Sequence, residues 1–112
     1  MDKIVYFAFN GNPMCFTHVL LNVLDMDSKG IAVKLVIEGE AVKLVQVFEE
    51  SQNPLYLQLK QKNLIDGICK ACSAKLGALE YNSSVGIPLK GDMMGHPAMA
   101  PYAEQGYTII TL

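Results

Sequence analysis

Lys3-Ile4-Val5-Tyr6-Phe7-Ala8-Phe9 runs straight into Asn10-Gly11-Asn12-Pro13, and apolar residues then recur at Phe16, Val19, Leu20, Val23 and Leu24. This stretch decides the fold class. An unbroken run of branched and aromatic side chains fits a strand covered on both faces, as in a parallel sheet. Asn12 suits a helix N-cap and Pro13 the first helical position, and the spacing that follows is that of one helical face. Strand, tight turn and helix in that order form the first half of a β-α-β unit.

Outward from there the alternation continues. The helix is expected to end near Asp27, with Gly30 just past its end. Residues 31–37 make a second strand, closed by Glu38-Gly39-Glu40. Ala41, Leu44, Val45 and Phe48 share a helical face. Asn53-Pro54 interrupts it, and a further helix spans about 55–62. Residues 64–68 read as a third strand and 70–76 as a short helix, with Gly77 near its end. Residues 79–95, rich in Gly, Ser and Pro, show no period. His96-Pro97 opens a last helix to about Gln105, Pro101 being tolerated near its first turn, and residues 107–112 form the closing strand. The pattern predicts one domain over residues 1–112: an α/β, flavodoxin-like three-layer sandwich with a mostly parallel sheet and right-handed crossovers. The expected strand order is 2-1-3, followed by the last strand.

Composition narrows the function classes. Apolar residues make up 51% of the 112 and charged residues 18%, which fits a globular chain rather than a disordered one. A net charge of −2 without a basic run argues against nucleic-acid binding. No apolar run approaches the roughly 20 residues of a membrane span and no export signal precedes the first strand, so a soluble cytoplasmic protein is expected, with no membrane partner. Three cysteines without an export signal point to reduced thiols rather than a disulfide framework. No phosphate-binding glycine motif is present, and no cofactor is expected.

The chemistry concentrates at Gly67-Ile68-Cys69-Lys70-Ala71-Cys72. Cys69 falls at a strand-to-helix junction, where backbone N–H groups favour a thiolate; Lys70 adds positive charge and Asp66 opposes it. Cys72 lies one turn on, as a resolving thiol or as packing. With order 2-1-3 the switch point between the first and third strands would gather Cys15, Cys69 and Cys72 at one sheet edge, with Asn10 in the loop that leads to Cys15. Cys15, in the first turn of its helix with His18 three residues on, is expected to be an ordinary apolar cysteine. Met93-Met94-Gly95-His96 supplies soft groups, and His96 is a possible site residue near a helix start. Glu38 and Glu40 are expected to be exposed loop carboxylates. A structural zinc site needs two ligands beyond the C-x-x-C, and no second pair exists, so no metal ligands are expected.

These residues resemble the DsrE/DsrF-like family, which includes sulfur-relay proteins. The resemblance rests on the apolar first strand, on Ile65-Asp66-Gly67-Ile68-Cys69-Lys70-Ala71-Cys72 before Gly77, and on Gly95-His96-Pro97 leading to Glu104-Gln105-Gly106-Tyr107. It covers nearly the whole chain and is nearest the small, stand-alone branch. It implies a flavodoxin-like fold, assembly into homo-trimers or hexamers, and a persulfide carried on the cysteine after the third strand, here Cys69. Cys72 has no counterpart in the relay members, so a second role is open to it. The function expected on these grounds is a cysteine persulfide carrier working with sulfur-donor and acceptor proteins. The alternatives are a two-cysteine thiol–disulfide or peroxide reductase using Cys69 and Cys72, and a non-catalytic oligomeric module that binds a small ligand or soft metal.

Overall fold

The structure, a computed structural model, describes residues 2–112. Five parallel strands form one sheet in the order β4-β3-β2-β1-β5. They are β1 (Lys3–Ala8), β2 (Ala32–Ile37), β3 (Ile65–Cys69), β4 (Leu89–Lys90) and β5 (Thr108–Thr111). The helices are α1 (Pro13–Ser28), α2 (Leu44–Glu50), α3 (Pro54–Gln61), α4 (Lys70–Lys75), α5 (Leu79–Asn82) and α6 (Ala100–Glu104), with a 3-10 turn over Gly39–Lys43.

The expected α/β three-layer architecture is present, but the expected order 2-1-3 is not. The chain adds β2, β3 and β4 in one direction from β1, then returns to place β5 on the other side. Right-handed crossovers that advance in one direction put all their helices on one face, and reversal moves the next helix to the other. The packing follows that rule. Tyr6, Ala8, Val33, Leu35, Ile37, Ile65 and Ile68 share a core with residues of α1, α2 and α3. Val5, Phe7 and Val36 point the opposite way and meet α6 through Tyr102. Tyr102 packs edge-on against Phe7, with ring centroids 5.6 Å apart.

Local sequence sets the boundaries. Asn12 Oδ1 accepts from the N–H groups of Met14 and Cys15, at 2.8 and 3.2 Å, ahead of Pro13. Asn53 does the same for Leu55 and Tyr56 ahead of Pro54. At the far end of α1, Ile31 N–H bonds Met26 O at 3.0 Å while Gly30 takes φ +80°, the usual glycine-terminated helix end.

The unassigned stretch 79–95 contains α5 and the two-residue strand β4. The last helix begins at Ala100 rather than at His96, because residues 93–96 form a tight turn instead. Strand β3 carries an irregularity: Leu35 pairs with Ile65 but Val36 with Gly67, so Asp66 is an extra residue. This bulge lets Ile65 and Ile68 face the same core although they are three apart. It also directs Asp66 toward Lys34, Lys90 and Tyr102. No helix among the described residues is long and apolar enough to cross a membrane.

Candidate functional site

The carboxyl ends of β2 and β3 lie side by side, and this adjacency builds the site. Glu38 follows β2, where its N–H donates to Ala8 O at 2.8 Å and its carbonyl accepts from Ala41 N–H at 3.0 Å. Those bonds turn its side chain inward; it is only 7% exposed. Cys69 ends β3 and caps α4, its sulfur accepting the Cys72 N–H at 3.3 Å. Cys72 sits one turn into α4 and is half-buried, whereas Cys69 is fully buried.

The fourth member arrives from the β4–α6 connection. Met93 and His96 exchange backbone bonds of 2.8 and 2.9 Å, with positive φ at Met94 and Gly95 (+53° and +91°). Positive φ at both central residues is the signature of a type I′ turn. The turn is fastened to α4 by Ala71 N–H donating to Gly95 O at 2.8 Å. Glycine eases that approach, since a Cβ on Gly95 would stand 3.0 Å from Ala71 Cβ, a tight contact at a positive φ.

His96 is thereby aimed at three acidic groups. Its Nδ1 is 3.2 Å from Cys69 Sγ, 3.7 Å from Cys72 Sγ and 3.5 Å from Glu38 Oε1. One donor atom from each of the four residues lies within 4.8 Å of the others. Behind them, Ser73 Oγ donates to Cys69 O at 2.7 Å, and the buried Asn82 Nδ2 donates to Ser73 Oγ and to Val42 O, both at 3.0 Å. This polar brace ties α4 to α5 and to the turn after Glu38.

Burial pushes the Cys69 thiol up to about 12; the Cys72 N–H pulls the other way, while the Cys72 thiol and the Glu38 carboxylate push further up. At neutral pH Cys69 is therefore a protonated, shielded thiol. The sequence placed Cys69 at the strand-to-helix junction without fixing its exposure; the structure buries it and leaves Cys72 as the one of the pair that meets solvent.

Other expectations also change. Cys15 does not join the cluster: it is exposed in the first turn of α1, as is His18. The predicted meeting of three cysteines depended on order 2-1-3, and β2 in fact separates β1 from β3. Asn10 is exposed and uses its side chain to accept from Asn12 N–H at 2.8 Å. Lys70 is exposed and has no ion pair or hydrogen bond from its side chain among the described residues. Glu38, expected at the surface, is buried in the site. Glu38 and His96 bring two further donor atoms beside the C-x-x-C, a grouping that could hold a metal ion and that the sequence spacing did not announce. Ser73 and Asn82 were not singled out by sequence, since neither has a spacing that announces a buried brace.

No protein-family model matches the chain. Over 101 residues, 90% of this chain and 83% of the relative, it is 30% identical to "Uncharacterized protein MJ0733" of Methanocaldococcus jannaschii. The chain belongs to the MJ0733 family. A second relative, an uncharacterized protein of Archaeoglobus fulgidus, is 33% identical over 48 residues, 43% of this chain and 79% of its own. The MJ0733-family fold also matches a solved structure, a conserved protein of unknown function, BT1422, from Bacteroides thetaiotaomicron. That match has a TM-score of 0.77 and 19% identity, and it covers 99% of this chain and 95% of the other.

Proposed function

We propose that this protein handles sulfur at the thiol level, with Cys72 taking up a sulfane sulfur and holding it as a persulfide for delivery to an acceptor thiol. The observation that carries this reading is the pairing of a half-exposed thiol with a buried one around a single imidazole, Nδ1 lying 3.7 Å from Cys72 Sγ and 3.2 Å from Cys69 Sγ. His96 accepts the Cys72 proton, and the thiolate attacks the outer sulfur of a donor persulfide. A new S–S bond forms on Cys72 as the donor's S–S bond breaks. The donor leaves as a thiolate and recovers the proton from His96. One sulfur atom moves and nothing is oxidised overall. The DsrE/DsrF-like resemblance supports persulfide chemistry at this strand end, although it implies Cys69 as the carrier where the burial pattern favours Cys72, and cytoplasmic donor and acceptor proteins would be its partners.

The test is intact mass after incubation of metal-free, reduced protein with a sulfane-sulfur donor, in a Cys15→Ser background that removes the exposed third thiol. The expected result is a gain of one sulfur that survives Cys69→Ser and is lost in Cys72→Ser. No gain, or a gain indifferent to Cys72→Ser, would sink the reading. A second reading, two-cysteine reduction of disulfides or peroxides, draws on the closeness of Cys69 and Cys72, whose sulfurs lie within 4.8 Å. It requires both thiols, so turnover that persists in Cys69→Ser excludes it.

A further inference from the structure

We propose that Glu38, Cys69, Cys72 and His96 form a four-ligand site for one tetrahedral divalent ion of the zinc class. The site stands independently of the sulfur reading but constrains it. An ion held by both thiols leaves neither free to attack, so the loaded protein would be inert toward sulfur donors.

Geometry is the first argument. Bonds of about 2.3 Å to sulfur and about 2.0–2.1 Å to nitrogen or oxygen place tetrahedral ligand atoms roughly 3.3–3.8 Å from one another. The three separations around His96 Nδ1 are 3.2, 3.5 and 3.7 Å. All four donors fall within 4.8 Å of one another. They come from the end of β2, the end of β3, the first turn of α4 and the 93–96 turn, so the fold rather than a local motif assembles them.

Charge is the second argument. The Glu38 carboxylate is 7% exposed, and His96 is its only ion-pairing neighbour among the described residues. A shielded carboxylate beside two thiols is a donor set with too little positive charge around it. A cation supplies what the side chains lack. Two sulfurs, an imidazole and one carboxylate select a borderline ion such as Zn²⁺ or Co²⁺ over Mg²⁺ or Ca²⁺. Four protein ligands fill the tetrahedron, which makes the site closed rather than hydrolytic. The surroundings are already ordered for it: the Cys72 N–H on Cys69 sulfur, the Ser73–Asn82 brace and the bond from Ala71 to Gly95 all fix ligand positions.

Co²⁺ titration of the reduced, chelator-stripped full chain tests the site. Expected are one Co²⁺ per chain, the intense visible bands of tetrahedral Co²⁺ with thiolate charge transfer, and a higher unfolding temperature. Cys72→Ser and His96→Ala should each weaken binding by more than the roughly 10–100-fold that loss of a supporting outer residue costs. Glu38→Gln should also weaken it, and Cys15→Ser should leave it unchanged. His96 is partly exposed, so its variant keeps the test valid if a cysteine variant fails to fold. Absence of stoichiometric binding, a weak octahedral spectrum, or affinity unaltered in both His96→Ala and Glu38→Gln overturns the proposal. A protein that takes up sulfur when metal-free yet never binds Co²⁺ overturns this site alone. One that binds Co²⁺ as described but accepts no sulfur overturns only the persulfide reading.

Discussion

Gly95→Ala tests how the site is held together. Gly95 has φ +91°, and a side chain in that region costs about 1–2 kcal/mol in backbone strain. The new Cβ would also stand 3.0 Å from Ala71 Cβ, and neither atom belongs to a flexible side chain that could move aside. Overpacking of that kind adds about 1 kcal/mol. The sum is about 2–3 kcal/mol. For 112 residues at about 2.1 cal/mol/K each, the unfolding entropy is about 0.24 kcal/mol/K, so the thermal midpoint should fall by about 8–12 °C. Gly86→Ala is the control: φ is +84° with no heavy atom within 4 Å of an added Cβ, so strain acts alone. It should lose about 4–8 °C. Adding Ala71→Gly to Gly95→Ala removes the contact, although Ala71→Gly alone costs about 1 kcal/mol in helix propensity. Thermal unfolding followed by circular dichroism on the four members of this cycle measures the coupling. A Gly95→Ala loss no larger than that of Gly86→Ala, or zero coupling to Ala71, refutes the claim that turn and helix touch here.

Asp66 sets an acid limit. Burial would raise its carboxyl, but hydrogen bonds from Tyr102 and Lys90 and the charges of Lys90 and Lys34 hold it below the usual carboxylate value. A folded pKa below the unfolded one gives stability that is present above about pH 4 and is lost as pH falls through the folded value, so Asp66→Asn should flatten the acid limb of a urea-midpoint-against-pH curve. Asn82→Ala deprives the buried Val42 carbonyl and Ser73 hydroxyl of a donor and should cost about 2–4 kcal/mol, read as a lower urea midpoint at unchanged slope. Light scattering should give a trimer or hexamer; a monomer at working concentration would contradict the assembly that the family resemblance implies.

The unit around β1 was legible because every signal in it is local. The apolar run, the Asn12-Pro13 start and Gly30 each act within a few residues of where they stand. Cys69 at a strand-to-helix junction was legible for the same reason. Strand order was not, because nothing within β1 or β3 records that β2 lies between them. Glu38 was misjudged on that account: between a strand and a glycine it resembles a solvated loop residue, and only the adjacency of β2 to β3 buries it. The two-residue β4 is too short to show a period, and the Asp66 bulge breaks the alternation that a strand normally displays. His96 was noted, but the turn that aims it depends on a positive φ at Met94, which the residue type does not announce.

The outermost strand next to Cys69 is also the slightest. β4 pairs with β3 only through Ile68–Leu89 and Cys69–Lys90, with one further bond from Ile68 N–H to Pro88 O at 2.9 Å. The arm carrying His96, whose Nδ1 lies 3.2 Å from the buried Cys69 sulfur, continues from this edge. An element held by so few bonds opens at a cost below that of global unfolding, so this edge is where the sheet should fray first. Amide exchange at Ile68 and Lys90 would report that opening, while the β1–β2 ladder stays protected. A fray at this margin would loosen the arm that holds His96 against the inner sulfur while the centre of the sheet stays closed.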